Sequence, residues 1–286
     1  MSEPCYDAPL RVEPGAKVKL KDLDPDAAPG VADKEAAKAR LEAASKRLAH
    51  LQTVLYAQRE HALLVVLQGM DAAGKDGAIR GSFNAFNPQG VIVTSFKEPT
   101  PVERRHDFLW RVHARAPELG SIAIFNRSHY EDFLVNRAHG DLDDKDAALR
   151  LEQIVDFERL LAQNGVTIVK FFLHISKEEQ LARFGKRLTD PERNWKIAES
   201  DYAERRYWAD YQRAYEEALA ATSRPEAPWH VIPANRKWFR DLAIAEIAAA
   251  ALEGLKMAYP KPAVDLDDIR RKYHSAAVEE ANERRS

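Results

Sequence analysis

The stretch Leu63-Leu-Val-Val-Leu-Gln-Gly-Met-Asp-Ala-Ala-Gly-Lys-Asp-Gly77 decides the fold predicted for this chain of 286 residues. An apolar run leads directly into the pattern G-x-x-x-x-G-K, which indicates a buried strand, a Walker A phosphate loop and a helix. Gly69 and Gly74 let the backbone bend so that successive N–H groups point into one cavity. The helix that begins near Lys75 adds the positive end of its dipole. The alternative is a strand–turn–helix whose glycines serve only the turn, but the lysine after the second glycine favours phosphate binding.

The predicted loop carries two carboxylates, Asp71 and Asp76. They would repel a phosphate unless a divalent cation or protons neutralised them, so the sequence predicts a metal ion, held by Asp71 or Asp76. Asp76 stands where Ser or Thr usually binds the metal, and its alternative is a carboxylate that the helix dipole stabilises. Lys75 supplies a mobile charge for the transferring phosphate. The residues expected to surround the phosphate are Gly69, Met70, Ala72, Ala73, Gly74, Lys75, Asp76 and Gly77.

Apolar runs alternate with helical segments along the chain. Continuous apolar strands of this kind are typical of parallel sheets that are buried on both faces. The predicted strands are Leu63–Leu67, Val91–Phe96, Ile122–Phe125, Val166–Ile175 and Trp229–Ile232. The predicted helices between them lie near residues 75–86, 102–115, 145–163, 176–188 and 236–257. The alternation predicts an α/β fold, doubly wound, with about five parallel strands flanked by helices.

Three regions are predicted along the chain. Residues 1–58 comprise an extended surface arm and an amphipathic helix, for which Asp33 is the expected N-cap. Residues 59–258 form the main domain, in which a helical and charged insertion predicts a lid at about 183–213. Residues 259–286 are polar and form a C-terminal tail.

The third predicted strand ends in a polar residue, Asn126, at the position of a Walker B acid. Ligands of α/β domains bind at this end of the sheet, and the Asn126 carbonyl can bind a metal ion without adding charge. Arg127 follows, and its guanidinium can bridge phosphates. His129 invites a catalytic role, but a lone His beside Tyr and Glu is more often a hydrogen-bonded structural residue. Phosphoryl transfer also needs little proton shuttling.

Two arginines mark the start of the predicted lid, Arg183 and Arg187. They are four residues apart and therefore share one face of a helix. From a lid they would close over phosphates and exclude water. The alternative is a solvated helix laced with Glu–Arg pairs, which the balanced charge of this segment also allows.

The composition excludes several functional classes. The formal charge is −2, from 43 Lys and Arg against 45 Asp and Glu, so a global positive field for nucleic acid is absent. The single cysteine, Cys5, excludes an internal disulfide and a cysteine-based zinc cluster. The sequence shows neither a signal peptide nor an apolar run of the roughly 20 residues that span a bilayer. A cytoplasmic protein is expected.

Several segments together resemble the polyphosphate kinase 2 family, across about Glu35 to Tyr259. They are Gly69–Gly77, Phe125-Asn-Arg-Ser-His-Tyr-Glu-Asp132, the spacing Gln180…Arg183…Arg187, Asn194-Trp-Lys196 and Trp229-His-Val-Ile-Pro-Ala-Asn-Arg-Lys-Trp238. The resemblance implies a thymidylate-kinase-like P-loop kinase fold with a helical lid. It also implies that inorganic polyphosphate donates a phosphoryl group to a nucleoside mono- or diphosphate with Mg²⁺ or Mn²⁺.

The resemblance assigns roles by motif position. Lys75 is the P-loop lysine, and Asp71 is the carboxylate that helps to place the metal. Asn126 takes the Walker B position and Arg127 follows it. Arg183 and Arg187 are the lid arginines.

Asn126 and Ser128-His-Tyr-Glu-Asp132 are similar to the subgroup that accepts both AMP and ADP. The resemblance therefore implies conversion of AMP to ADP and ATP, and it suggests a homo-oligomer. Two rivals are an ATP-dependent nucleoside or nucleotide kinase, which would share the fold, and a non-enzymatic phosphate- or nucleic-acid-binding module. The near-neutral charge, the lid and the arginines at strand ends argue against the second rival.

Overall fold

One parallel sheet organises the computed structural model, which describes residues 6–284. Its strands are β1 (Ala62–Gln68), β2 (Val91–Ser95), β3 (Ile122–Asn126), β4 (Val166–His174) and β5 (Trp229–Pro233). They lie in the order β2-β3-β1-β4-β5, and every neighbouring pair is parallel. The prediction of five parallel strands is confirmed, and each predicted strand overlaps an observed one.

The helices lie between and around these strands. They are α1 (Asp7–Leu10), α2 (Lys34–Gln58), α3 (Lys75–Ser82), α4 (Trp110–His113), α5 (Tyr130–His139), α6 (Asp144–Gln163), α7 (Lys177–Thr189), α8 (Glu199–Glu204), α9 (Trp208–Thr222), α10 (Lys237–Gly254) and α11 (Leu266–Glu283). Short 3₁₀ turns occur at Leu20–Asp22, Pro88–Gly90, Glu103–Arg105, Asn194–Lys196 and Arg205–Tyr207.

The central strand β1 contributes side chains to both layers of the core, because alternate side chains of a strand point to opposite faces of the sheet. Leu63, Val65 and Leu67 pack with α2, α3 and α10. Leu64 and Val66 pack with α5, α6 and α9 on the other face. Each fully buried Leu or Val contributes roughly 1.5–3 kcal/mol. The uninterrupted apolar run therefore reflects a strand that is covered on both faces.

The edge strand β2 departs from the expectation of burial on both faces. Ile92 and Val93 are 55% and 49% exposed, because β2 pairs only with β3. The helix predicted over 102–115 is also wrong in its extent. Only a 3₁₀ turn and α4 form there, and Asp107 Oδ1 accepts hydrogen bonds from the amides of Leu109 and Trp110. These bonds form a local turn at Asp107, which separates the 3₁₀ turn from α4.

The N-terminal region is more tightly attached than a surface arm. Tyr6, Val12 and Leu20 are buried, and Val12 N donates to Trp229 O at 2.8 Å, so the expectation of an arm lying only on the surface is wrong. Cys5 lies outside the described residues. Asp33 caps α2 as expected, since its Oδ1 accepts from Ala36 N at 2.8 Å.

Helix α2 docks on α10 through two bidentate ion pairs, Arg40 with Glu246 and Arg47 with Glu253. The two helices share one apolar core with β1. The boundary at residue 58 stays a prediction.

The predicted lid segment is helical and contains no strand within 189–224. It runs from α7 through α8 to α9. Ala214, Ala218 and Leu219 of α9 are buried against the domain, so the end of this segment belongs to the core. The C-terminal helix α11 has no buried residue among those described. Between residues 6 and 284, no helix is sufficiently long and apolar to cross a membrane.

Candidate active site

The loop between β1 and α3 follows the predicted phosphate-binding course. Gly69 and Gly74 have φ angles of 152° and 99°, in the region that favours glycine. A Cβ added to Gly69 would lie 2.9 Å from Leu173 O, so the neighbouring strand β4 also requires glycine there. Ala72 has φ 60° without being glycine, and such strained residues cluster at functional sites.

The side chain of Lys75 folds back over this loop. Its Nζ donates to Gly69 O at 2.6 Å and lies 3.4 Å from Met70 O, and the residue is 9% exposed. Burial lowers the pKa of Lys75 to about 8; Arg127 adds to the shift, while Asp71, Glu131 and Asp76 oppose it. A phosphate that entered the loop would meet an ammonium whose hydrogen bonds, among residues 6–284, go to backbone oxygens.

Arg127 lies opposite the loop and pairs with Asp71. The distance from Arg127 Nη2 to Asp71 Oδ1 is 2.7 Å. Arg127 has φ 62°, and its amide donates to Leu67 O at 3.0 Å, so the chain kinks directly after β3. The guanidinium stays 40% exposed. The two residues that the sequence assigned separately to metal and phosphate are therefore neighbours.

Asp76 joins three parts of the site. Its Oδ1 accepts from Asn126 Nδ2 at 2.7 Å, and its Oδ2 accepts from Lys196 Nζ at 3.1 Å. Burial works to raise the pKa of Asp76, but these two hydrogen bonds and the charges of Lys196 and Lys75 hold it below its ordinary value. The helix start, the end of β3 and the lid thus meet at one carboxylate.

The oxygen donors at the loop fit a divalent cation. Asp71 and Asp76 offer carboxylates, and Asn126 can offer its amide oxygen. No group of three or more His, Cys, Asp or Glu residues within 6–284 could hold a metal ion by itself. Mg²⁺ commonly binds one or two carboxylates and completes its octahedron with water and substrate phosphates, so this small donor set suits it. Whether Asp71 and Asn126 hold the metal stays a prediction.

Arg183 lies behind the loop rather than above it. Its Nη1 donates to Ala72 O and Ala73 O at 2.9 and 2.7 Å. Its Nη2 donates to Ala234 O at 2.6 Å, and its Nε pairs with Glu179. Side-chain and backbone oxygens of the protein thus occupy the guanidinium, and a direct phosphate contact by Arg183 stays a prediction.

Arg187 lies one helical turn further on and faces the lid. Its Nη1 lies 3.2 Å from Lys196 O and 3.3 Å from Asp201 Oδ2. Lys196 in turn reaches Asp76, so Arg187 is connected to the loop through the lid. Its catalytic role stays a prediction.

Sequence reasoning missed Arg240, on α10. This residue is 2% exposed and its Nη1 lies 3.2 Å from Gly74 O. Nε and Nη2 both donate to Asp241 Oδ1, at 2.8 and 2.6 Å. A signal existed in the sequence: Gly77 and Gly81 continue the glycine pattern into α3, where added Cβ atoms would meet Arg240 and Asp241.

His129 is part of a separate buried network. Its Nε2 lies 3.1 Å from Glu158 Oε1, and the same carboxyl group binds Tyr130 and Lys170. Burial lowers the pKa of His129 although the Glu158 carboxylate favours its charged form. This placement agrees with the structural alternative for His129.

A parallel sheet, a lysine-bearing loop at the end of its central strand and a helical lid define a P-loop kinase. The model of the polyphosphate kinase 2 family matches residues 31–260, and the chain belongs to that family. The resemblance to this family that the sequence motifs indicated is confirmed.

Similar proteins span almost the whole chain. An AMP/ADP-polyphosphate phosphotransferase from Meiothermus ruber is 49% identical over 253 residues, which cover 88% of this chain and 95% of that protein. An ADP-polyphosphate phosphotransferase from Rhodopseudomonas palustris is 43% identical over 264 residues, covering 88% and 91%. The crystal structure of polyphosphate kinase 2 from Arthrobacter aurescens TC1 superposes with a TM-score of 0.92 at 42% identity, covering 96% of this chain and 98% of that one. The predicted fold class and enzyme class are confirmed.

Proposed function

We propose that this protein transfers phosphoryl groups from inorganic polyphosphate to AMP and ADP, giving ADP and ATP. The relatives from M. ruber and R. palustris, whose names specify polyphosphate and AMP or ADP, support this substrate pair. The similarity extends over the phosphate loop, the end of β3 and the lid, since it covers 88% of the chain.

The observation that carries the proposal is the pairing of charges around the loop. Asp71 is held by Arg127, and Asp76 by Asn126 and Lys196, so both carboxylates already have hydrogen-bonding partners. A nucleoside hydroxyl requires a base that accepts its proton, whereas a nucleotide phosphate is already an anion. The site therefore favours a phosphorylated acceptor over a nucleoside.

The mechanism follows from positioning and electrostatics. The amides at the start of α3 and Lys75 hold the transferring group, while Arg127 and Arg187 neutralise charge on the flanking phosphates. A bound Mg²⁺ or Mn²⁺, held by Asp71 and Asn126 with Asp76 nearby, would neutralise charge on phosphate oxygens. In-line transfer between two anions requires no further proton acceptor.

The proposed partners are therefore inorganic polyphosphate and adenine nucleotides. A cytoplasmic location, a homo-oligomeric state and the absence of nucleic-acid and membrane partners stay expectations from the sequence.

ATP formation from AMP or ADP with long-chain polyphosphate and Mg²⁺ tests the proposal, with no other donor present. We expect ATP from both acceptors, and ADP as an intermediate when AMP is supplied. Formation of ATP from ADP but not from AMP would show that AMP is not an acceptor. Transfer only when ATP is the donor would replace the proposal by the nucleotide-kinase alternative. The Lys75→Ala variant, purified in the same way, gives the background activity that comes from contaminating kinases.

A further inference from the structure

Three consecutive carbonyl groups of the phosphate loop point towards two arginines. Arg183 Nη1 donates to Ala72 O at 2.9 Å and to Ala73 O at 2.7 Å. Arg240 Nη1 lies 3.2 Å from Gly74 O, which also accepts a hydrogen bond from Ala78 N of α3 at 2.9 Å. Both arginines are almost fully buried, at 7% and 2% exposure; Arg183 lies on α7, the first helix of the lid segment, and Arg240 lies on α10, beyond that segment.

The direction of these carbonyls determines the direction of the amides that follow them. In a planar trans peptide the C=O of one residue and the N–H of the next point in opposite directions. Carbonyls of Ala73 and Gly74 that are fixed on the arginine side therefore turn the amides of Gly74 and Lys75 to the other side. That side is the anion-binding concavity of a phosphate loop.

Arg240 is itself held in place. Asp241 Oδ1 accepts from both Nε and Nη2, which fixes the plane of the guanidinium. The glycines of α3 leave room for this pair, because a Cβ on Gly74 would overlap Arg240 and one on Gly81 would overlap Asp241. A Cβ on Gly77 would lie 3.2 Å from Arg240 Nη2.

Arg183 connects the loop with two other elements. Its Nη2 donates to Ala234 O at 2.6 Å and lies 3.3 Å from Asn235 O, just after β5, and its Nε donates to Glu179 Oε1 at 2.7 Å. Gln180, one turn earlier, donates to Asp71 O at 2.9 Å and so holds the next loop carbonyl. The first helix of the lid segment thus contacts the back of the loop from Asp71 to Ala73.

We propose that Arg183 and Arg240 are positioning residues that orient the peptide groups of the phosphate loop and thereby set its affinity for the phosphate chain. This proposal rests on the proposed function, because the anion that the loop binds is taken to be the end of a polyphosphate chain. Neither guanidinium needs to touch the substrate, because each acts through loop carbonyls. Lysine would keep the charge at either position but lacks the planar fork that holds two acceptors at once.

The test compares Arg183→Lys and Arg240→Lys with Arg40→Lys in the full-length protein. Arg40 is a matched control, because it is a buried arginine, 12% exposed at its side chain, that makes a bidentate pair with Glu246 far along α10. Calorimetry measures binding of inorganic tripolyphosphate without turnover, so this readout remains valid even if polyphosphate is not the donor. Kinetics with polyphosphate then separates KM from kcat.

A spectroscopic readout reports on the loop directly. The chain has 12 glycines, and only Gly74 follows an alanine, so ¹⁵N-glycine labelling combined with ¹³C-carbonyl-alanine labelling identifies the Gly74 amide without a substitution. Tripolyphosphate should shift this amide strongly in the wild type. Substitution of a residue that only stabilised the fold would lower the melting temperature without changing the shift of the Gly74 amide.

We expect each Lys variant to bind tripolyphosphate at least about 10-fold more weakly and to lose about 10- to 100-fold in kcat/KM, because small displacements of a phosphate site are costly. The Gly74 shift should shrink in both. Arg40→Lys should bind and turn over as the wild type does, even where its melting temperature falls as far. Wild-type tripolyphosphate affinity and Gly74 shift in both Lys variants would overturn the proposal. Equal losses of tripolyphosphate binding in Arg40→Lys, in proportion to its fall in melting temperature, would also overturn it.

Discussion

Two buried lysines of this protein, Lys75 and Lys170, look alike by burial and differ in what they bind. Burial lowers the pKa of both ammonium groups. Lys170 Nζ lies 2.5 Å from Glu158 Oε2 and 2.9 Å from both Tyr130 Oη and Thr222 O. Among the residues that the structure describes, Lys75 Nζ contacts only the backbone oxygens of Gly69 and Met70.

The two lysines indicate that the partner of a buried ammonium, and not its burial, separates a candidate functional lysine from a structural one. The charge of Lys170 is neutralised by a carboxylate, and its three donor positions are filled by protein oxygens. Within the described part of the chain, carboxylates lie near Lys75 but none contacts its ammonium, which leaves this charge available to an incoming anion. The contacts of Lys170 fit a lysine that stabilises the fold, and those of Lys75 fit its proposed role of holding an anion.

The largest expected effect belongs to Lys75→Met. Removing the ammonium should lower kcat/KM with polyphosphate by about 1000-fold, because charge stabilisation at the transferring group is lost. The melting temperature should stay within a few degrees, since Asp71 keeps Arg127 as its partner. Steady-state kinetics and a thermal scan measure the two effects. Wild-type-like turnover would contradict the proposed mechanism.

Lys170→Met should produce the opposite result. It leaves the Glu158 carboxylate buried without its cation, which costs about 3–5 kcal/mol in the free energy of unfolding. Turnover per folded molecule should change little. Urea denaturation measures the loss, and the double variant Lys170→Met/Glu158→Leu should recover most of it. An unchanged unfolding free energy would show that the two lysines are not distinguished by their partners.

The pH dependence of kcat/KM provides a third comparison. The folded protein holds the pKa of Lys75 at about 8, against an ordinary value of 10.5. Above pH 8 the free enzyme loses this charge, so kcat/KM should fall about tenfold per pH unit. Between pH 8 and 10.5 the unfolded chain binds more protons at this residue than the folded protein does, so the stability that burial of the charged Lys75 costs is regained as the pH rises.

A pH profile of kcat/KM from pH 6 to 10 measures the effect, with Lys75→Arg as the matched control. Arginine stays protonated over this range. That variant should be slower but should lack the fall above pH 8. The same alkaline fall in Lys75→Arg would assign the titration to another group.

The smallest effect is expected for the exposed ion pair between α2 and α10. Arg47 and Glu253 are 45% and 44% exposed at their side chains. Arg47→Met should therefore change the free energy of unfolding by no more than about 1 kcal/mol and should leave turnover unchanged. Chemical denaturation checks this prediction. A loss as large as that of Lys170→Met would show that helix docking, and not burial of charge, limits the stability.

Structural features whose interacting residues lie close together in the chain could be predicted from the amino-acid sequence alone. The apolar run before Gly69, the glycines of the loop and Lys75 specify a strand, an anion-binding turn and a helix within a few residues of one another. The Asp33 cap was predictable for the same reason, because its partner, Ala36, is three residues away.

The contacts that support the phosphate loop, and the partners of its two carboxylates, could be identified only in the folded structure. Arg240 reaches Gly74 across 166 positions of sequence, Lys196 reaches Asp76 across 120, and Arg127 reaches Asp71 across 56. Arg183 could be recognised as an arginine on the first helix of a lid, but not as a donor to loop carbonyls. Hydrogen bonds and ion pairs act through short distances in space, and residues so far apart in the chain acquire these distances only when the sheet and its helices have packed.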